Sequence, residues 1–214
     1  MVTQQPISAA SPRRARTREA LVAAGLRLMA ERPPDAIAID EIVRAAGVAK
    51  GSFFNHFDDK AAFAGEIGAS LRAELEGAAA ALSRGIDDPA ERLARALCLH
   101  LRFAADAPRR ARVFLRLCAE PLAPPPRDDP IELDLRSGAA TGRFRTRGEA
   151  AAAALARGAV HAGMARVVAQ PAEASAFGFG LVAALLRGLG LAEADAERVA
   201  GHAADAILGD GPRR

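Results

Sequence analysis

The sequence predicts an all-α protein, with a small N-terminal three-helix module joined to a larger helical body, and three observations carry that prediction. Apolar residues recur at i, i+3, i+4 and i+7, the spacing of one helical face. No strand-length stretch alternates apolar and polar residues with period two. Alanine, the strongest helix former, is abundant, β-branched residues are sparse, and Gly and Pro fall mostly between the periodic segments. Half of the 214 residues are hydrophobic, which excludes disorder as the dominant state.

Residues 1–12 are Ser, Pro, Gln and Ala without periodicity and read as a flexible arm. Four arginines follow within residues 13–18 (RRARTR), and Thr17 is placed to cap a helix through its hydroxyl. Leu21, Ala24, Gly25, Leu28 and Met29 give that helix one apolar stripe. Pro33 and Pro34 end it after Arg32, because the residue before a proline avoids the α region. A short helix over 39–45 carries Asp40 and Glu41 in its first turn, at the positive end of its dipole, and Gly47 breaks it. A second short helix runs over 50–57, and Asp58 and Asp59 stop it. From Lys60 a longer pattern, Ala62, Phe63, Ile67, Leu71 and Leu75, extends to Ser83, with a break over 85–89. Further helices are predicted near 89–105, 108–120, 131–140, 148–168, 172–188 and 193–208. The stretch 121–130 (PLAPPPRDDP) cannot be helical throughout, and 138–146 reads as a second irregular connection. The implied segments are the arm over 1–12, a small helical module over 13–62 and a larger helical body over 63–214.

Composition narrows the classes of function. The longest apolar run, residues 176–186, is too short to cross a bilayer, which needs roughly 18–20 residues. The first residues lack the apolar core of a secretory signal, so a soluble cytoplasmic protein without membrane contact is expected. Cys98 and Cys118 are too few and too far apart for a disulfide scaffold or a thiolate metal site, and read as reduced, buried small hydrophobes. No metal and no cofactor is called for. A formal charge of +3 permits nucleic-acid binding without requiring it. Arg92, Arg95, Arg102, Arg109, Arg110, Arg112 and Arg116 form a basic stretch, read as a solvated helical surface, with an anionic effector site or an auxiliary DNA contact as alternatives. His100 and His161 are candidates for lining a ligand pocket, the alternative for each being a satisfied interior histidine.

The informative segment is residues 40–57 (DEIVRAAGVAKGSFFNHF). Two short helices hinge at Gly47. Ile42 and Ala46 before the turn, with Val48, Phe53 and Phe57 after it, let them cross closely. The second helix then turns Lys50, Ser52, Asn55 and His56 outward. That is helix-turn-helix geometry, in which the second helix enters the major groove by its N-terminal end. Lysine and the amides of a helix N-terminus suit phosphates, while Ser and Asn suit base edges. Gly51 leaves room for the backbone to approach the groove wall.

With the preceding helix, TREAL at 17–21 and LMAER at 28–32, and with Lys60, this segment resembles the N-terminal signature of TetR-type (TetR/AcrR) transcriptional regulators over roughly residues 16–65. The chain has two lysines, Lys50 and Lys60, and both fall where the family's pattern has lysine. By that resemblance Lys50, Gly51, Ser52, Phe54 and Asn55 line the groove-facing side, His56 and Lys60 grip phosphates, and Thr17 and Arg18 touch the backbone from the first helix. Three departures stand out. Phe54 replaces a tyrosine whose hydroxyl bonds phosphate, a loss of roughly 0.5–1.5 kcal/mol. Ala38 and Ile39 replace a capping Thr or Ser, worth about 0.5–2 kcal/mol. Pro33 and Pro34 replace a Gly-aromatic pair.

The resemblance implies a repressor acting as a homodimer on a pseudo-palindromic double-stranded DNA operator, released when an unknown small-molecule effector enters the larger domain. The helices at 148–168 and 172–188, rich in Ala and Gly, would pair across the two-fold axis. Two other readings compete: an enzyme carrying a DNA-binding module, and a ligand-independent architectural protein. Residues 63–214 show no nucleophile elbow, phosphate loop or metal-spaced His/Cys set to favour the enzyme.

Overall fold

A computed structural model describes residues 12–118, 129–146 and 148–209, and these form ten α-helices with two short 3-10 turns. The arm expected over 1–12 lies outside the described residues apart from Pro12, as does most of the proline-rich stretch at 121–130. The helices are α1 (Pro12–Glu31), α2 (Ile39–Ala46), α3 (Lys50–Phe54), α4 (Lys60–Leu82), α5 (Pro89–Asp106), α6 (Pro108–Cys118), α7 (Pro130–Ala140), α8 (Glu149–Ala169), α9 (Ala174–Gly188) and α10 (Glu193–Leu208). Two compact units result, and the boundary between Ile67 and Gly68 falls inside α4. No helix among the described residues is long and apolar enough to cross a membrane.

The first unit folds around one apolar cluster. Leu21, Ala24 and Met29 of α1, Ile42 of α2 and Phe53 of α3 are fully buried. Phe63 packs edge-on to Phe57, ring centroids 4.7 Å apart, and Phe53 lies 5.4 Å from it. Gly47 ends α2 in the left-handed region at φ 67°, where a side chain would be strained. Helix α1 starts at Pro12, five residues before the expected cap. Proline suits the first helical position and arginine is a good helix former. Thr17 is therefore an interior residue whose hydroxyl donates back to the Arg13 carbonyl at 3.0 Å. Ala38 does precede α2 without a side-chain acceptor, but the Ala38 amide donates to Glu41 Oε1 at 3.1 Å, which keeps half of a capping box. Asp59 takes a role the sequence left open, accepting from the Ala62 amide at 2.7 Å at the head of α4.

The second unit is built around α5, which packs against α6, α7, α8, α9 and α10 and buries Leu93, Leu97, Cys98 and Leu101. Small residues bring the helices together: a Cβ on Gly163 or Gly178 would meet Leu101 side-chain atoms at 2.8 and 3.1 Å. Asp88 and Asp129 cap α5 and α7, accepting from Ala90 N and from Ile131 N and Glu132 N. Arg143 then ties the head of α5 to that of α10 by reaching both Asp88 and Asp195. Helix α7 continues through Gly138 to Ala140, so the irregular connection is shorter than 138–146. Its Gly138 admits the Phe144 ring, an atom of which would lie 2.1 Å from an added Cβ.

Candidate nucleic-acid interface and ligand cavity

Helix α3 is five residues long, shorter than the expected 50–57, so Asn55 and His56 sit in the turn that leaves it. The chain stays compact there because the His56 and Phe57 amides both donate to the Phe53 carbonyl, at 2.9 and 3.0 Å. Phe53 and Phe57 face the core, which leaves the other side of the segment to solvent. On that side Phe54 is 51% exposed, Lys50 reaches Asp40 at 2.9 Å in an open ion pair, and nothing stands within 4 Å of a Cβ at Gly51. A surface pair of this kind is weak and is readily exchanged for a phosphate.

Beside α3 lies a polar groove lined by Arg13, Arg14 and Thr17 of α1 and by Ser52, Asn55 and His56. Arg14 donates to the Asn55 carbonyl at 3.2 Å and so fixes the first helix against the turn. Burial lowers the His56 pKa, and the charges of Arg14 and Arg18 push the same way, so the imidazole is neutral at pH 7. Guanidinium groups, hydroxyls, an amide and an imidazole N–H face one groove. That set of donors suits phosphate oxygens, and the Asn and Ser also suit base edges.

Of the residues singled out by the sequence, Thr17, Ser52, Asn55 and His56 meet in this groove, while Lys50, Gly51 and Phe54 line the open side of α3. Two are held elsewhere. Arg18 pairs with Glu66 and lies over the Phe57 ring at 5.8 Å. Lys60, expected on phosphate, instead donates its ammonium to the Asp35 and Ile37 carbonyls at 3.0 and 3.1 Å. Arg13 and Arg14 occupy the groove itself, a placement that their run in the sequence did not specify.

The second unit holds a cavity of about 110 Å³ between α4, α5, α6, α7 and α8. His100 and His161 both line it, and each imidazole meets the Phe114 ring, at centroid distances of 5.9 and 6.2 Å. His100 Nδ1 lies 2.7 Å from the Ala96 carbonyl. Burial lowers the pKa of both imidazoles, with a further push on His161 from Arg72, and keeps them neutral at pH 7. Burial likewise raises the Glu76 carboxyl. Both cysteines are free and buried, and burial pushes the Cys98 thiol up to about 12. Cys118 lines the cavity.

The sequence reading did not single out Arg72, Glu76, Phe114 and Arg157 here. The spacing of Arg72, Glu76 and Ala79 along one face of α4 was the available signal. Much of the basic stretch in α5 and α6 is internally paired: Arg92 with Asp134 at 2.6 Å, Arg95 with Glu91 at 3.2 Å and Arg110 with Glu74 at 2.5 Å. No group of three or more metal-ligating side chains forms among the described residues.

Residues 21–67 match the family model described as bacterial regulatory proteins, tetR family. Over 50 residues, 23% of the chain, the sequence is 44% identical to the HTH-type transcriptional repressor DhaR of Mycobacterium sp. (strain GP1). That match spans a quarter of the repressor's length. The fold is similar to that of RolR in complex with resorcinol, with a TM-score of 0.57 and 26% identity over 88% of this chain and 94% of that one. It is also similar to a putative tetR family transcription regulator from Shewanella sp. PV-4, with a TM-score of 0.73 and 18% identity over 82% of this chain and 99% of that one.

Proposed function

We propose that this chain, whose residues 21–67 match the model described as bacterial regulatory proteins, tetR family, is a cytoplasmic transcriptional repressor of that family that releases its operator when a small molecule fills the α4–α8 cavity. The observation that carries the reading is the groove shared by Arg13, Arg14 and Thr17 with Ser52, Asn55 and His56. Phosphate donors and base-reading side chains meet there, beside an α3 whose outer side is open. Arg13, Arg14, Thr17, Lys50 and His56 position the protein on the backbone, and Ser52, Asn55 and the Phe54 edge read the groove floor. Lys60 and Arg18 support this surface from behind.

The ligand is bound and released unchanged, so no catalytic residue is assigned. That a structurally similar protein is solved in complex with resorcinol supports a small-molecule ligand for this chain, and the α4–α8 cavity is the place we assign to it. Helix α4 supplies the mechanical route. Phe63 and Ile67 on it pack at Gly25 of α1, and Arg72, Glu76 and Ala79 further along it line the cavity. A ligand that prefers one position of α4 shifts the population of DNA-competent states, by as much as its affinities for the two states differ.

Footprinting on the DNA upstream of the protein's own gene tests the proposal. One short symmetric site is expected to be protected. Asn55→Ala should relax sequence preference, and Arg14→Ala should weaken binding to all sequences alike and reduce the salt slope by about one. Uniform coating of DNA without preference would favour an architectural protein instead.

A further inference from the structure

We propose that the α4–α8 cavity is a site for an uncharged, single-ring aromatic compound bearing a hydroxyl group, with its ring beside Phe114 and its hydroxyl on His100. This rests on the effector reading above and adds the chemistry of the molecule. Size sets the first limit. At about 110 Å³ the space is of the order of the ~150 Å³ apolar cavity that takes one benzene ring, which matches a single ring better than a fused pair.

Charge sets the second limit. Arg157 reaches Asp129 at 3.3 Å and Glu132 at 2.7 Å, and Arg72 interacts with Glu76 one turn along α4. With both imidazoles neutral, the charges lining the space cancel. An ion entering it would give up its hydration without gaining an unmatched counter-charge.

Hydrogen bonding sets the third. A carbonyl only accepts, so the contact with Ala96 O puts the ring proton of His100 on Nδ1 and leaves Nε2 as an acceptor. An acceptor selects a ligand with a donor, such as a hydroxyl, over one with a carboxylate or ketone alone. Phe114, edge-on to both imidazoles at 60° and 79°, continues an aromatic wall that favours a flat ring over a puckered one.

Titration calorimetry on the full chain without DNA tests this with phenol, toluene, benzoate and cyclohexanol. Phenol should bind about tenfold or more tightly than each of the others. His100→Phe should weaken phenol about tenfold and leave toluene unchanged. Benzoate or toluene binding as tightly as phenol overturns the proposal, as does no binding of phenol at millimolar concentration. Should His100→Phe fail to fold, the wild-type series of four compounds decides alone. A parallel operator-release assay separates the two readings. Phenol that binds without releasing DNA supports this site and defeats the effector mechanism. Release by a charged or bulky compound, with phenol inert in both assays, defeats this site and keeps the repressor.

Discussion

The ammonium of Lys60 reaches back to the Asp35 and Ile37 carbonyls and pins the start of α4 to the 3-10 turn ahead of α2. Those carbonyls lie where the chain leaves a short turn, and a charged donor there has no substitute among uncharged side chains. Lys60→Met should therefore lower the stability of the first unit by about 1–2 kcal/mol, the value of a charged hydrogen bond reduced for partial exposure. Its DNA affinity should keep the same salt slope. Urea unfolding and salt titration measure the two. An unchanged midpoint with a slope reduced by about one would return Lys60 to phosphate contact. The sequence made Lys60 visible but not its partners, because the reach of a long side chain depends on which carbonyls the tertiary fold brings near. Thr17 was misread as the cap for a local reason: the arginines just before it are themselves good helix formers, and they carry α1 back to Pro12.

At the scale of elements, the crossing of α1 over α4 is governed by Gly25. A Cβ there would lie 2.5 Å from Phe63 Cζ and 2.8 Å from Ile67 Cδ1, and the fully buried Phe63 ring is fenced by Phe53 and Phe57. Gly25→Ala gains up to about 1 kcal/mol of helix propensity and meets an overpacking cost of about 1–3 kcal/mol. A net loss of about 1–2 kcal/mol is expected, read as a lower urea midpoint at unchanged m-value. An increase in midpoint would mean that the crossing relaxes freely. Periodicity revealed the helices well, since helical spacing and Pro or Gly punctuation are written locally. It could not reveal that α3 stops at Phe54, where Asn55 and His56 leave the helix yet keep Phe57 in the core. Nor could it reveal the cavity, whose walls come from five helices and depend on how closely Gly163 and its neighbours allow them to approach.

For the whole molecule, α8 and α9 are the elements with the most to explain. Both bury one side in the second unit, yet their outer sides are apolar as well: Ala151, Ala154, Leu155 and Ala162 on α8, and Ala176, Phe179 and Ala184 on α9 are exposed. Leu155 and Phe179 are 45% and 39% exposed, large side chains on otherwise small-residue faces. A helix apolar on nearly all sides is a buried helix, and a second copy of this chain is the partner that the proposed operator would require if it is two-fold. In such a dimer the two α3 helices would have to match the roughly 34–36 Å repeat of successive major-groove faces. Pairing would also make the second contact intramolecular, which raises affinity by about 10²–10⁴ over one half-site. Leu155→Glu with Phe179→Glu puts four carboxylates into that seam. The double variant should sediment as a monomer, keep its helical circular dichroism, and lose about 100-fold or more in operator affinity. Its affinity for an isolated half-site should stay unchanged. If the double variant remains dimeric, the two-fold seam lies elsewhere on the second unit. If it is monomeric but binds the operator undiminished, paired docking is not how this protein recognises DNA.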